Sequence, residues 1–513
     1  VAATDVRALS EWTIRIEQML QRGELSVRWE RDDTMRPGRQ HQRLRQLHRG
    51  VPVWGGELVR QVDGPVTVSV FGTVYERIGL EVAPRLSAAR AAQVVRGLGA
   101  VPHGRRAGPE LCVLPQAEGY ALAWRVRAFA ERTGVPSMYF VDAGDGRVLL
   151  QYRDLHTQSA VGLGTGVLGD RKKMSAQQGG GSFVADDALR PPSLLTHDLQ
   201  GDVFRVIDFL NGAVVLGAGD LARDSDNTWT DGANVDAHTH AGWTYDYYFN
   251  RFGRRGLDDN DYGLTSIAHP ASRSEIFQNL SIFGNDILLF YLNAAYFGDG
   301  LMIYGEGLPP DLVDGLGRQW NFTSGALDIV AHELTHGVTD FSSQLIYQGE
   351  SGALNEAFSD IMAAGAEFFF QSPGSGLLHA DYLVGEDVIT PGGLRSMANP
   401  QAYGDPDHYS RRFLGAEDNG GVHINSGIVN QAFYLAIEGG SNRTSGLSVS
   451  GVGGANREQI EKVFYRAFVL MLPPSASFST ARAATIQAAR DLYNAGSPAE
   501  GAVIQAWNAV GVQ

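Results

Sequence analysis

The sequence predicts an α+β protein: an α+β segment first, then a β-rich lobe, then a helical lobe, with a cleft between the two lobes. Three observations predict this. Residues 1–159 hold 22 Arg, no Lys and 17 Asp+Glu, a balance of +5, whereas residues 160–513 hold 20 basic and 40 acidic residues, a balance of -20. Residues 160–290 are rich in Gly, Asp and Tyr with short apolar stretches, which suits short strands. From Ser324 onward apolar residues recur with helical spacing. The expected segments are 1–80, 81–155, 156–322 and 323–513.

The elements follow in order. Asp5–Arg22 reads as a helix, and Val51–Val59 and Val66–Val70 read as β-branched strands bounded by Gly and Pro. Residues 82–98 read as an amphipathic helix. Ala121–Ala128 and Met138–Val141 alternate, and Asp142-Ala-Gly-Asp-Gly turns the chain into Arg147–Tyr152 as a hairpin. A helix is expected near Ala237–Phe252 within the β-rich lobe. Helices then follow at Ala326–Val338, Gly352–Phe370, Gly421–Ile437 and Glu458–Leu470, with two more at 480–494 and 498–510.

Composition narrows the function. The chain has 513 residues, a net charge of -15 and 43% hydrophobic residues. An acidic chain is a poor nucleic-acid binder, and no stretch approaches the roughly 20 apolar residues of a membrane span. A single cysteine, Cys112, excludes an internal disulfide and any site built from several thiolates. Its apolar neighbours Leu111, Val113 and Leu114 predict a buried structural thiol. The N-terminus carries charges at regular intervals and lacks the apolar core of a signal peptide. A first residue of Val rather than Met fits a leader already removed, and equally fits a start chosen in cloning.

The chemistry is concentrated in Asp328-Ile-Val-Ala-His-Glu-Leu-Thr-His336. On a helix His332 and His336 lie one turn apart on one face, and that spacing suits two positions of a zinc tetrahedron. Glu333 can reach a water beside the metal without ligating it, a pattern that predicts metal-assisted hydrolysis. A helix with two surface histidines would read the same, so a third ligand separates the two cases. Glu356 follows 20 residues later on another predicted helix, enough for an antiparallel return. Asp360 and Asn355 are placed to hydrogen-bond the ligating histidines from behind.

These residues sit in a wider pattern. Val167-Leu-Gly-Asp170, Val235-Asp-Ala-His238, Tyr245-Asp-Tyr-Tyr248, Asn293-Ala294, His332–His336, Gly352–Asp360, Tyr403-Gly-Asp-Pro-Asp-His408-Tyr and Asp418-Asn-Gly-Gly-Val-His423-Ile-Asn-Ser-Gly427 occur in order. In them residues 160–513 resemble the thermolysin-like secreted neutral metallopeptidases over essentially the whole catalytic domain. The resemblance implies a two-lobed fold and zinc-dependent endopeptidase activity. It implies zinc ligands His332, His336 and Glu356, with Glu333 as base and proton shuttle. His423 and Tyr347 become the transition-state stabilisers, and Asp418 the residue that orients His423. Arg395 becomes the arginine that grips a substrate carbonyl, and Asn293 and Ala294 the edge that pairs with substrate backbone. Ile329 and Leu394 line the pocket for the residue after the scissile bond, which implies a preference for bulky apolar side chains there. Tyr296 stands where many relatives have Trp.

The resemblance also implies structural calcium. Asp328, Glu367, Asp381 and Glu386 match one site, whose further carboxylate is replaced by Leu383. Asp224 and Asp226 match another loop, with a Thr at its third position. The loop before Arg395 is shortened to Gly392-Gly393 and lacks the usual Asp, so no site is expected there. Upstream, His41–Glu57 resembles the fungalysin/thermolysin propeptide, and Ala123–Arg153 resembles the PepSY module that follows it. This implies a secreted, monomeric zymogen whose propeptide assists folding and occupies the cleft, cut near Leu155–Ala160. Two other readings remain in view: a catalytically dead binding module, which usually loses a ligand or the base, and an aminopeptidase. The Gly-x-Met-Glu-Asn string that would anchor a substrate amine is absent.

Overall fold

The computed structural model describes residues 1–33, 36–102, 108–130, 136–153, 159–179 and 181–513. The chain divides into two units, Val1–His156 and Thr157–Gln513. Residues 155–158 of the expected maturation stretch lie outside the described residues.

In the first unit, the Asp5 carboxylate accepts from Ala8 N at 3.0 Å and caps α1 (Val6–Gln21). The helix buries Ile16 and Met19 against Leu25, Leu44, Leu58 and Val70. α2 (Ala88–Gly97) begins six residues later than expected, because Pro84 and the capping Ser87 lie before it. Among the described residues ten strands form one sheet. Val51–Asp63 pairs in parallel with Glu110–Pro115 at Val53 and Val113, so a single sheet crosses the boundary expected between residues 80 and 81. Cys112 is buried among Leu114, Ala123, Met138 and Phe140, and that burial pushes its thiol up to about 12.

The second unit starts with two five-stranded sheets. In the second of these, Leu194–Asp198, Leu264–Ala268 and Leu301–Tyr304 run parallel. Ala294–Tyr296 closes one edge, antiparallel, with Ala294 opposite Tyr304. Among the described residues the β-rich half also holds three α-helices, α3 (Val203–Leu210), α4 (Gly232–Phe252) and α5 (Ile276–Phe283), where the sequence predicts only α4. The β-branched and aromatic residues of α3 read as a strand. Asp202 overrides that propensity by capping Arg205 N at 3.1 Å. α4 buries consecutive residues such as Val235, Asp236, Ala237 and His238, so it carries no single apolar stripe.

The helical half comprises α6 (Leu327–Asp340), α7 (Gly349–Phe370), α8 (Glu417–Glu438), α9 (Arg457–Leu470), α10 (Phe478–Tyr493) and α11 (Pro498–Ala509). One apolar cluster runs from Leu194 to Val512, so both lobes share a core. α6 and α7 cross this core and are buried almost all round. Gly352 permits their close approach to the chain above: a Cβ there would meet Val422 Cγ1 at 2.4 Å and the Tyr347 carbonyl carbon at 2.9 Å.

Candidate active site

α6 presents His332 and His336 with their Nε2 atoms 3.1 Å apart. Glu356 of α7 reaches the same point, with Oε2 3.4 Å from His332 Nε2 and Oε1 3.5 Å from His336 Nε2. Among the described residues, only these three bring metal-type donors within 4.8 Å of one another. Ligands held about 2.0–2.1 Å from a tetrahedral zinc lie roughly 3.3 Å apart, so the spacings fit that ion. Glu356 is fully buried, and its Oε2 has no hydrogen-bond partner. A buried anionic oxygen without a donor is costly, and a cation at the centre satisfies it. The donor set therefore fits zinc.

The other ring nitrogens are held from behind. His332 Nδ1 lies 2.9 Å from Asp360 Oδ1, and His336 Nδ1 lies 2.9 Å from Asn355 Oδ1. Nδ1–H donation leaves both Nε2 lone pairs free for a metal. Asp360 also accepts from Arg395 Nε at 3.0 Å, Arg395 Nη2 at 2.7 Å and Asn430 Nδ2 at 2.8 Å. Burial opposes its charge, but Arg395 and His332 hold it well below the usual carboxylate range. Glu333 is buried beside the triad and accepts from Tyr296 N at 2.9 Å. Burial, aided by the charge of Glu356, pushes Glu333 up to about 7.

His423 and Tyr347 complete the ring. Asp418 Oδ1 lies 2.6 Å from His423 Nδ1, and its Oδ2 accepts from His423 N at 2.9 Å. That geometry depends on a left-handed run at the start of α8: φ is 53° at Asp418, 48° at Asn419, 87° at Gly420 and 79° at Gly421. Asp, Asn and Gly are the residues that tolerate such φ values. The expected helix start at Gly421 thus falls at the end of this run. His423 Nε2 lies 3.2 Å from Tyr347 Oη, which donates to Glu356.

His332, Glu333, His336, Tyr347, Asn355, Glu356 and His423 line a cavity of about 460 Å³, and Asp360, Asp418 and Asn430 do not. Asn293, Ala294, Tyr296, Ile329, Leu394 and Arg395 line it too. Trp320, Thr323, Asp340, Leu345 and Val384 also line it and were not singled out from sequence; they come from separate segments and share no local motif.

A second set of acids lies in the same half. Asp328, Glu367 and Asp387 are buried, and Glu386 and Asp381 lie near enough to act on them. Both carboxylate oxygens of Glu367 and of Glu386, and Oδ2 of Asp387, have no hydrogen-bond partner. Burial and mutual repulsion push Asp328 up to about 7, Glu386 up to about 9 and Glu367 well above the usual range. Asp387 adds to the four acids expected from sequence; its only signal there is adjacency to Glu386. Leu383 brings no carboxylate, and its N donates to Asp381 at 2.6 Å. Asp224 and Asp226 lie in one turn, where Asp224 accepts from Asp226 N and both accept from Thr228 N.

An HExxH helix, a third acidic donor from its neighbour and a buried carboxylate beside them define a metallopeptidase. Comparison with known proteins gives the family. Residues 161–340 match the thermolysin metallopeptidase catalytic domain, residues 343–512 the thermolysin metallopeptidase alpha-helical domain, and residues 30–71 the fungalysin/thermolysin propeptide motif. Thermolysin of Alicyclobacillus acidocaldarius subsp. acidocaldarius is 37% identical over 502 residues, spanning 92% of this chain and 83% of that protein. Neutral protease B of Bacillus subtilis (strain 168) is 36% identical over 490 residues, spanning 92% of this chain and 81% of that protein. Among solved structures, the precursor of protealysin, a metalloproteinase from Serratia proteamaculans, is 29% identical, covering 55% of this chain and 79% of that one with a TM-score of 0.42. The chain belongs to the thermolysin family and is the precursor of a zinc metalloendopeptidase.

Asp360 makes its own prediction. Asp360→Asn removes the acceptor that fixes His332 and leaves Arg395 without its charge partner. Zinc affinity is expected to fall about 10–100-fold, read by dialysis against metal buffers. Unchanged affinity would mean that His332 is oriented by packing alone.

Proposed function

We propose that this chain is the secreted, monomeric zymogen of a neutral endopeptidase, with the residues around the 460 Å³ cavity in named roles. The convergence of His332, His336 and Glu356 beside Glu333 carries the reading. Zinc held by His332, His336 and Glu356 would supply Lewis acidity toward the scissile carbonyl and lower the pKa of a coordinated water to about 7. Glu333 takes the proton of the attacking water and delivers it to the departing amine, and a carboxyl held near neutrality suits both transfers. Tyr347 Oη turns from Glu356 to donate to the oxygen that gains negative charge. His423 Nε2–H donates to the same oxygen, and Asp418 holds His423 from its Nδ1 side. Substrate backbone pairs along Ala294–Tyr296 beside Asn293, and Arg395 binds a substrate carbonyl. Ile329, Leu394 and Val384 favour a bulky apolar side chain after the scissile bond.

The acid cluster of Asp328, Glu367, Asp381, Glu386 and Asp387 is read as a calcium site, because hard carboxylates with orphaned oxygens need a cation of this kind. A further calcium at Asp224 and Asp226 is part of the same reading. The N-terminal unit is read as intramolecular chaperone and inhibitor, on its propeptide motif and on a charge opposite to that of the catalytic unit. An extracellular location suits a protease of this kind, and no described helix is long and apolar enough to cross a membrane.

Glu333→Gln should keep its zinc yet lose turnover of a blocked peptide by about 10²–10⁴-fold. Retained turnover with full zinc occupancy would remove Glu333 from the mechanism. Cleavage of a peptide blocked at its N-terminus also separates this enzyme from an aminopeptidase. For latency, the freshly purified intact chain should hydrolyse casein far more slowly than the same sample after N-terminal sequencing shows the first unit cut away; equal rates would exclude an inhibitory role.

Calcium gives a pH signature. Without the ion, Asp328 and Glu386 have folded-state pKa values raised to about 7 and about 9, so the folded state binds more protons than the unfolded chain. Stability should then fall as pH rises from about 4, the ordinary carboxylate range, through about 9. Calcium removes that repulsion, so the gap in melting temperature between calcium and a chelator should widen as pH rises. A gap independent of pH would argue against calcium at this cluster.

A further inference from the structure

We propose that a second cavity, apart from the zinc cavity, binds the zwitterion of a free α-amino acid or a dipeptide, with Asp405 holding its ammonium and Arg411 its carboxylate. The inference goes beyond the endopeptidase reading and uses neither the metal nor the groups around it.

The cavity measures about 420 Å³, and Asp405, Pro406, Arg411, Phe413 and Ile424 are among the residues that line it. It shares no lining residue with the zinc cavity, although Ile424 directly follows His423. Its size lies within the roughly 300–1,000 Å³ of small-molecule sites. Pro406, Phe413 and Ile424 make an apolar wall, and the two charged groups are of opposite sign. Among the described residues neither the Asp405 carboxylate nor the Arg411 guanidinium has a hydrogen-bond or ion-pair partner, so they also lie too far apart to satisfy each other. Neighbouring polar groups are engaged elsewhere. Gln401 Nε2 donates to Asp407 Oδ1 and to Thr444 Oγ1, both at 2.8 Å. Arg412 donates to the Tyr409 carbonyl at 3.0 Å and lies 4.1 Å from the Tyr409 ring centre.

The walls are held in place. A Cβ on Gly427 of α8 would meet the Pro406 carbonyl oxygen at 3.0 Å and Asp405 Cβ at 3.1 Å, so only glycine lets the helix lie this close beneath Asp405. Phe413 is clamped through its backbone: its N donates to Asn425 Oδ1 at 2.8 Å, and its carbonyl accepts from Asn425 Nδ2 at 3.1 Å. The turn that carries Arg411 is pinned by Arg411 N on the His408 carbonyl at 2.9 Å and by Tyr409 N on the Val510 carbonyl at 2.8 Å. Burial pushes the Asp405 carboxyl up to about 7 against the opposing charge of Arg395. A part-buried acid without a donor gains from an ammonium brought to it, and a guanidinium takes a carboxylate in a two-pronged grip.

An amino-acid zwitterion carries both charges on one small frame and leaves its side chain free for the apolar wall. A molecule that lacks either charge leaves Asp405 or Arg411 unmatched. Amino acids and dipeptides are what extensive peptide-bond hydrolysis releases, so the site fills as digestion proceeds.

The test uses the full-length, zinc-loaded protein carrying Glu333→Gln and reads binding by titration calorimetry. The probes are leucine, glycyl-leucine, leucinamide and N-acetylleucine. The tighter of leucine and glycyl-leucine identifies the source of the zwitterion, and it is expected to bind about tenfold more tightly than either singly charged probe. Asp405→Asn should weaken the zwitterion and leucinamide about tenfold and leave N-acetylleucine unchanged. Arg411→Gln should weaken the zwitterion and N-acetylleucine to a similar extent and leave leucinamide unchanged. Zwitterion affinity unaltered in both variants puts the ligand elsewhere, the zinc cavity included, and overturns the assignment. So does equal affinity for charged and blocked probes, or no binding of leucine and glycyl-leucine. If Asp405→Asn does not fold, Arg411→Gln, at an exposed position, decides with the same probes.

Discussion

Asp360 lies fully buried on α7 and accepts hydrogen bonds from His332 on α6, Asn430 on α8 and Arg395 on the short strand Arg395–Ser396. A buried carboxylate is tolerated only when its oxygens are fully engaged, and here the partners belong to three further elements. Sliding any one of them would strand a charge in the core. The orientation of a metal-ligating ring, the placing of an arginine in the cleft and the packing of three helices are therefore one constraint. Glu333 and Glu356 inherit their positions from it, since they ride on the helices that Asp360 locks together.

The other buried acids are handled differently. Glu356 keeps one oxygen without a donor, and Glu367 and Glu386 keep both. Asp360 is neutralised by the protein itself, whereas on the proposed reading these groups take cations from outside. In a chain with one cysteine, cation-filled clusters of this kind would take the place that disulfides hold in many extracellular proteins. On that reading they tie α6 and α7 to the segment around residues 381–387 without any covalent link.

How legible this was in the sequence depended on the range of each interaction. His332 and His336 declare themselves because four residues make one helical turn. The last three helices, α9, α10 and α11, show because each buries one stripe. α4 hides its extent because it is buried on every side, and α3 hides because its residues favour strands until Asp202 caps it. The left-handed run Asp418–Gly421 is written openly in its Asp-Asn-Gly-Gly composition. Asn430 is different: nothing local marks an asparagine as the partner of a carboxylate 70 residues earlier. Trp320 was invisible for the same reason, since an indole becomes a pocket wall only once distant strands pair behind it.

The strand Ala294–Tyr296 is three residues long and forms the edge of its sheet, with one side available beside the cavity. On the proposed reading, a polypeptide can lie along that edge only in an extended form, with its own backbone groups free. Helices and paired strands cannot offer this without first coming apart. The susceptibility of a target protein is then governed less by which residues it contains than by where its chain opens most cheaply. Frayed termini and exposed loop tips are cut first, and a tightly folded neighbour in the same medium survives with an identical sequence buried inside it.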